Sequence, residues 1–94
     1  MALFAQTLKE TVAPTLTLSS AAVFTNSTEK PVVVRYVSEI SSHISMTGTA
    51  DATSAFVPAN CVEVLNVDPG KSITAIRGAS ETDAPVWVTV ITQV

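Results

Sequence analysis

Apolar and polar positions along most of this chain repeat with the period of a β-strand. Thr15-Leu16-Thr17-Leu18 alternates, and Ala21-Ala22-Val23-Phe24 continues the apolar character. Val32-Val33-Val34-Arg35-Tyr36-Val37 is a run of residues branched at Cβ or aromatic, the types that suit a pleated surface. Cys61–Val67 carries apolar side chains on both faces, with Val62, Val64 and Asn66 to one side and Glu63, Leu65 and Val67 to the other. Ser72–Arg77 is a further strand. In Val86–Thr92, Val86, Val88 and Val90 share a face, opposite Trp87, Thr89 and Ile91. Strands with two apolar faces suit a sandwich or an interface.

Turn formers separate these runs. Thr25-Asn26-Ser27-Thr28-Glu29-Lys30 is a polar loop, and Pro31 is tolerated at the start of the strand that follows. The two flanking runs read as a hairpin with a long loop. In Asp68-Pro69-Gly70-Lys71, Pro presets φ at the second turn position and Gly accepts positive φ at the third. Gly78 to Pro85 is a loop of small and acidic residues. Ser38 to Ala55 is rich in Ser and Thr and weakly patterned, predicting a ragged strand near Ile40–Met46 and an exposed loop around Gly48 and Asp51.

The spacing of about ten residues per strand predicts an all-β protein, a small antiparallel β-sandwich or barrel of about six or seven strands. Residues 1–14 read as an N-terminal arm and residues 15–94 as the β-sandwich domain. Leu3, Phe4, Leu8 and Val12 share one side of a helix, opposite Lys9 and Glu10; a partly extended arm fits equally well. Pro14 stops any helix by about Ala13.

Composition strengthens the strand reading and narrows the function. Of 94 residues 47% are apolar and only 14% charged, well below the usual quarter. Ser and Thr fill the gap, and Val is the commonest residue, followed closely by Thr. One domain of this size has a thin core. A thin, weakly charged domain is expected to bury part of its surface against partners, including further copies of itself. The net charge is −3 and the five basic residues are scattered, so nucleic acid and anionic membranes are not expected partners. No run reaches the ~20 apolar residues of a membrane helix, and Met1-Ala2-Leu3-Phe4 lacks the features of a secretory leader.

Candidate chemistry is sparse. Cys61 is the sole cysteine and is read as a small buried hydrophobe. His43 is the sole histidine; Ser41-Ser42-His43 reads as a hydroxyl-rich strand edge, not a triad. Asp51, Asp68 and Asp83 fall in loops and read as turn formers, not calcium ligands. The three glycines form no phosphate-binding pattern. Asn26-Ser27-Thr28 matches a glycosylation sequon and reads as a chance match. These features predict no enzyme activity, no metal and no cofactor. Trp87 suits a core or a protein interface, where tryptophan is a favoured anchor.

The order Thr25-Asn26-Ser27-Thr28-Glu29-Lys30-Pro31-Val32-Val33-Val34-Arg35-Tyr36, then Phe56-Val57-Pro58-Ala59-Asn60-Cys61-Val62-Glu63-Val64-Leu65, then Val67-Asp68-Pro69-Gly70-Lys71-Ser72-Ile73-Thr74-Ala75-Ile76 and Val86-Trp87-Val88-Thr89-Val90, resembles small β-sandwich virion proteins of tailed bacteriophages. The resemblance covers Thr25 to Thr92 and rests on β-sandwich punctuation. It implies a capsid decoration (cement) protein bound to the major capsid protein, made in the host bacterial cytoplasm and carried on the virion surface. A head–tail connector or tail component is the alternative within the virion. A carbohydrate-binding or host-adhesion module using Trp87 or the Ser/Thr loop is the alternative outside that class. The expected contact residues are Leu3, Phe4, Leu8 and Val12 of the arm, which could add a strand to a neighbour's sheet edge, with Ile44, Met46, Trp87 and Ile91 of the domain.

Overall fold

A computed structural model of the protein describes residues 11–93. They form two antiparallel sheets and, among the described residues, no helix. The strands are β1 (Thr11–Val12), β2 (Thr15–Leu16), β3 (Ala21–Thr25), β4 (Val32–Ser38), β5 (Ser42–Ser45), β6 (Ala55–Val57), β7 (Glu63–Val67), β8 (Ser72–Arg77) and β9 (Ala84–Gln93). The first sheet runs β1-β9-β4-β7, with β2 also paired to β9. The second runs β3-β8-β5-β6. The expected all-β sandwich is therefore present.

The described strands number nine, against the six or seven expected. The additional ones are very short. Among the described residues β1 has two and β6 three, too few to show a period in sequence. They exist because a longer neighbour templates them. β9 holds β1 through Thr11↔Thr89 and Val12↔Val88, and β2 through Thr15↔Pro85 and Leu16↔Ala84. Pro14 lies between the two and lends its carbonyl to the Val86 N–H at 2.9 Å. Thr11 and Val12 are thus extended, and a helix reaching Ala13 is corrected by this pairing. Leu3, Phe4 and Leu8 lie outside the described residues.

The expected Ala21–Val37 hairpin is also corrected. β3 and β4 are consecutive but belong to different sheets, as do β7 and β8. Both connections cross between the sheets, and both close on Asn26. Its backbone N–H donates to the Lys71 carbonyl at 2.9 Å, and its carbonyl accepts from the Gly70 N–H at 2.8 Å. Its side-chain Nδ2 donates to the carbonyls of Lys30 and Val67, each at 2.9 Å. Its Oδ1 accepts from the Thr28 N–H and hydroxyl. Both side-chain donors and both acceptor sites of the amide are therefore used. The Asp68–Lys71 turn beside it forms as the sequence predicts, with Lys71 N–H to Asp68 carbonyl at 3.1 Å and Gly70 at φ 76. Only glycine adopts that φ without strain.

The core is filled by alternation. On β4, Val32, Val34, Tyr36 and Ser38 are buried while Val33, Arg35 and Val37 are not. Ile73 and Ala75 of β8 and Val86 and Val88 of β9 complete the buried layer. Each large aliphatic side chain so placed contributes roughly 1.5–3 kcal/mol. Opposite Val33 and Val34 the β9 register slips by one residue, so Ile91 has no cross-strand partner on β4.

One polar bond spans the sandwich interior. The Tyr36 hydroxyl of β4 and Ser42 Oγ of β5 lie 2.7 Å apart, both fully buried, joining the two sheets. Burial pushes the Tyr36 phenol above its ordinary value of 10.0, with the Ser42 bond acting weakly the other way. The folded chain therefore holds that proton more tightly than the unfolded chain. Its contribution to stability is full below the ordinary tyrosine pKa and is lost as pH rises through the raised one.

Asn26→Ala should lower stability by about 3 kcal/mol or more, because the buried Val67 carbonyl and the part-buried Lys30 carbonyl and Thr28 N–H lose their partner at once. Urea denaturation reads this directly, and a loss under about 1 kcal/mol would contradict the hub role. Separately, the urea midpoint of the native protein should fall as pH climbs above about 10, and Tyr36→Phe should flatten that fall. An equal slope in the variant would assign the alkaline loss elsewhere.

Candidate protein-interaction surfaces

The structure separates the expected contact residues. Val12 is half-buried, with its strand partner Val88 fully buried. Ile44 is corrected: it is 7% exposed and packs in the core, because β5 alternates inward at Ser42 and Ile44. Ile91 is likewise buried. Met46 is exposed and Trp87 is half-buried. The largest exposed apolar side chains are instead Leu18, Phe56, Val62 and Val64, each more than half exposed. Val62 and Val64 were legible from the two apolar faces of their strand. Phe56 and Leu18 carry no such signal, since each lies in or beside a strand of only two or three residues.

Cross-strand registers lay out the outer face of the first sheet. One row runs Thr11, Thr89, Arg35, Val64, closed at one end by a 2.8 Å hydroxyl contact between Thr11 and Thr89. The next row pairs Trp87 with Val37. On the other side lies Thr92, Val33, Asn66. β7 forms the margin of this sheet, and Val64 on it is 59% exposed. The result is a mixed surface in which three valines and one tryptophan lie among threonines, Asn66 and a single guanidinium, Arg35.

The outer face of the second sheet is smaller. Ile76, His43 and Phe56 form a row across β8, β5 and β6. The His43 and Phe56 rings sit 5.2 Å apart at 55°, an edge-inclined contact. His43 Nδ1 lies 3.0 Å from the Ser54 carbonyl, which makes Nδ1 the protonated nitrogen of the neutral ring. Strand alternation therefore parts Ser42 from His43. The serine points inward to Tyr36 and the histidine outward to Phe56.

The Ser/Thr-rich stretch is more ordered than a free hydroxyl surface. Asp51 Oδ1 accepts from the Thr53 N–H and hydroxyl, which holds the Asp51 carboxyl below its usual range. The Ala50 N–H donates to Ser20 Oγ, and Ala50 is buried. Thr74 Oγ1 donates to the Gly48 carbonyl. Asp51 acts as the turn former expected, and Asp83 pairs with Arg77. At that end of the sandwich Arg77 also donates to the Gly78 and Glu81 carbonyls, and the Ser41 N–H donates to Glu81 Oε2 at 2.6 Å. The Ser41 bond, helped by Arg77, lowers the Glu81 pKa.

Two further expectations are resolved here. Asn26 is 1% exposed with its amide nitrogen doubly bonded, so the sequon is a structural asparagine, consistent with a chance match. Cys61 is exposed, which corrects its reading as a buried hydrophobe. Asn60 just before it adopts φ 61, and β7 begins only at Glu63, so Cys61 precedes the alternating segment. Among the described residues no three His, Cys, Asp or Glu side chains gather as a metal site, and no helix is long and apolar enough to cross a membrane.

A groove of about 740 Å³ opens between the sheets, bounded by Val12–Pro14 on one side and β3 on the other. Val23, Phe24, Val32 and Val90 form its floor and walls, and Thr25, Ser27 and Thr28 its polar end. A second cleft of about 440 Å³ has Met46 at its rim with Ser20, Thr47, Thr49, Ser72 and Lys71. Comparison with protein-family models, with characterised proteins and with solved structures gives no match.

Val64→Ser and Phe56→Ser should each change stability by no more than about 0.5 kcal/mol, whereas Ile44→Ala should cost about 2–5 kcal/mol. Thermal melts of the three variants check the division. A loss at Val64 or Phe56 as large as at Ile44 would mean that those side chains hold the fold and not a surface.

Proposed function

We propose that the protein is a structural virion component, a decoration (cement) subunit that binds the major capsid protein on the shell of a tailed bacteriophage. The observation that carries the binding part is the outer face of the first sheet. Val37 and Trp87 are paired there, with Val33 opposite Asn66 and Val64 opposite Arg35, and Val64 is mostly exposed at the margin. Apolar side chains on a paired sheet surface supply burial without the entropy loss of ordering a loop. Trp87, half-buried beside Val37, has the size and rigidity of an interface anchor. Arg35 among these residues offers a fork for a partner carboxylate or carbonyl. The resemblance of Thr25–Thr92 to tailed-phage sandwich proteins supports a viral shell as the partner.

The low proportion of charged residues agrees with a surface that spends its working life covered. The reading needs rigidity more than motion, and the Asn26 and Tyr36–Ser42 bonds supply it at one end and in the middle of the sandwich.

Val64→Asp places a charge on this face without touching the core. The variant should retain its melting temperature and lose co-sedimentation with purified major-capsid-protein shells, by about tenfold or more in affinity, a change of about 1.4 kcal/mol or more. Undiminished binding would remove this face from the proposal. Copy number per particle, measured by gel densitometry of virions, tests the location. A count on the scale of the shell subunits supports decoration, and a count on the scale of one ring points to the neck or tail.

A further inference from the structure

The two arginines of the chain stand in opposite situations. Arg77 is spent inside the fold, its Nε donating to Asp83 and its Nη1 to the Gly78 and Glu81 carbonyls. Arg35 is half-buried at the centre of β4, between β9 and β7. Among the described residues its guanidinium has no ion pair, no hydrogen bond and no ring stacked on it. No fully buried side-chain nitrogen or oxygen there lacks a partner, so the guanidinium nitrogens reach the surface. Its neighbours on the outer face are Thr89 and Val64 across the sheet, with Val33 and Val37 two residues away along the strand. None of them is acidic. Glu63 on β7 sits opposite Tyr36 and so belongs to the inward side of the pleat. Asp83, Glu81 and Asp51 are held by Arg77, Ser41 and Thr53.

We infer that Arg35 determines the specificity of this face, and that the protein surface docking there presents a carboxylate, from an aspartate or glutamate, within an apolar patch. The planar fork of guanidinium donors matches a carboxylate in two parallel bonds. The valines on either side, and Trp87 beside Val37, exclude water once covered, which strengthens such a pair. A docked surface without an acid would strip water from the guanidinium and return nothing. The charge therefore rejects most apolar partners as well as selecting one. A second copy of the same face is among those rejected, because it would bring a further guanidinium and no acid. Nucleic acid is rejected too, since a polyphosphate needs a row of cations and this face has one.

Arg35 has this role only if the face is a docking surface, which is the reading proposed for it. The identity of the partner as a capsid shell is not required.

Two measurements on the full chain test the assignment. In the first, NMR follows the Nε–H resonance of Arg35 and the indole resonance of Trp87 during titration with sodium hexanoate, hexylammonium chloride or inorganic phosphate. Hexanoate carries a carboxylate on an apolar tail. It should shift both resonances saturably and bind about tenfold more tightly than either other probe, and Arg35→Gln should abolish the Trp87 response. An equal response to hexylammonium would leave only an apolar surface, and an equal response to phosphate would replace the carboxylate. Either result overturns the inference, as does the lack of a saturable shift. In the second, co-sedimentation with purified shells of the major capsid protein, Arg35→Glu should weaken binding by about tenfold or more and Arg35→Lys by less. Arg35→Glu that binds like the native chain overturns the role of Arg35 and leaves the shell reading intact. A native chain that does not bind shells overturns the shell reading, and the titration then decides Arg35 by itself. Arg35→Gln should melt as the native chain does. A loss as large as that of Ile44→Ala would show a partner within the fold and overturn the inference.

Discussion

The path of the chain between the two sheets depends on one buried amide. Consecutive strands leave one sheet and enter the other at both the β3–β4 and the β7–β8 connections. Each crossing takes backbone away from its ladder, so its polar groups need partners of another kind. Asn26 provides them with bonds to Lys30, Val67, Gly70 and Lys71, from residues otherwise far apart in sequence. An asparagine is suited to this because its side chain both donates twice and accepts. Aspartate would present a charge to two carbonyls, and an aliphatic residue would leave them unpaired in a buried corner. The glycine at position 70 is part of the same arrangement, since its positive φ brings its N–H to the Asn26 carbonyl.

With that corner closed, β9 organises the rest of the first sheet. Its ten residues carry β4 on one side and the two short strands β1 and β2 on the other. The short strands add little area of their own and are held through their pairing. Pro14 between them gives up one ladder donor yet still accepts from Val86. Across the core the Tyr36–Ser42 bond links the first sheet to the second. A buried hydroxyl pair is directional in a way that valine packing is not, so it favours one alignment of the layers.

The outer surfaces follow from the same alternation that builds the core. Every strand that turns Val32, Val34 and Tyr36 inward must turn Val33, Arg35 and Val37 outward. Where the outward set includes apolar side chains, as at Val33, Val37, Val64 and Trp87, the sheet has a second face that water covers poorly. That property connects the composition of the chain to the binding role proposed for it. Leu18 and Phe56 show that exposed apolar side chains also occur in and beside the short strands.

By itself the sequence determined the all-β class, the extents of β4 and β8, the Asp68–Lys71 turn and the two-faced character of β7. Each of these rests on local physics: β-branched residues on a pleat, a period of two, and the φ preferences of proline and glycine. Tertiary structure decided the rest. Whether β3 and β4 form a hairpin or cross between sheets is not encoded in either strand, because both patterns look alike until the sheets stack. β1 and β6 were invisible because two or three residues have no period, and only a neighbour's edge makes them strands. The inward turn of Ile44 depends on the register that β8 and β6 impose on β5. The sequon illustrates the limit most directly. Its three residues read as a chance match to a glycosylation signal, and only the folded corner shows that Asn26, with Thr28 bonded to it, ties the two crossing connections together.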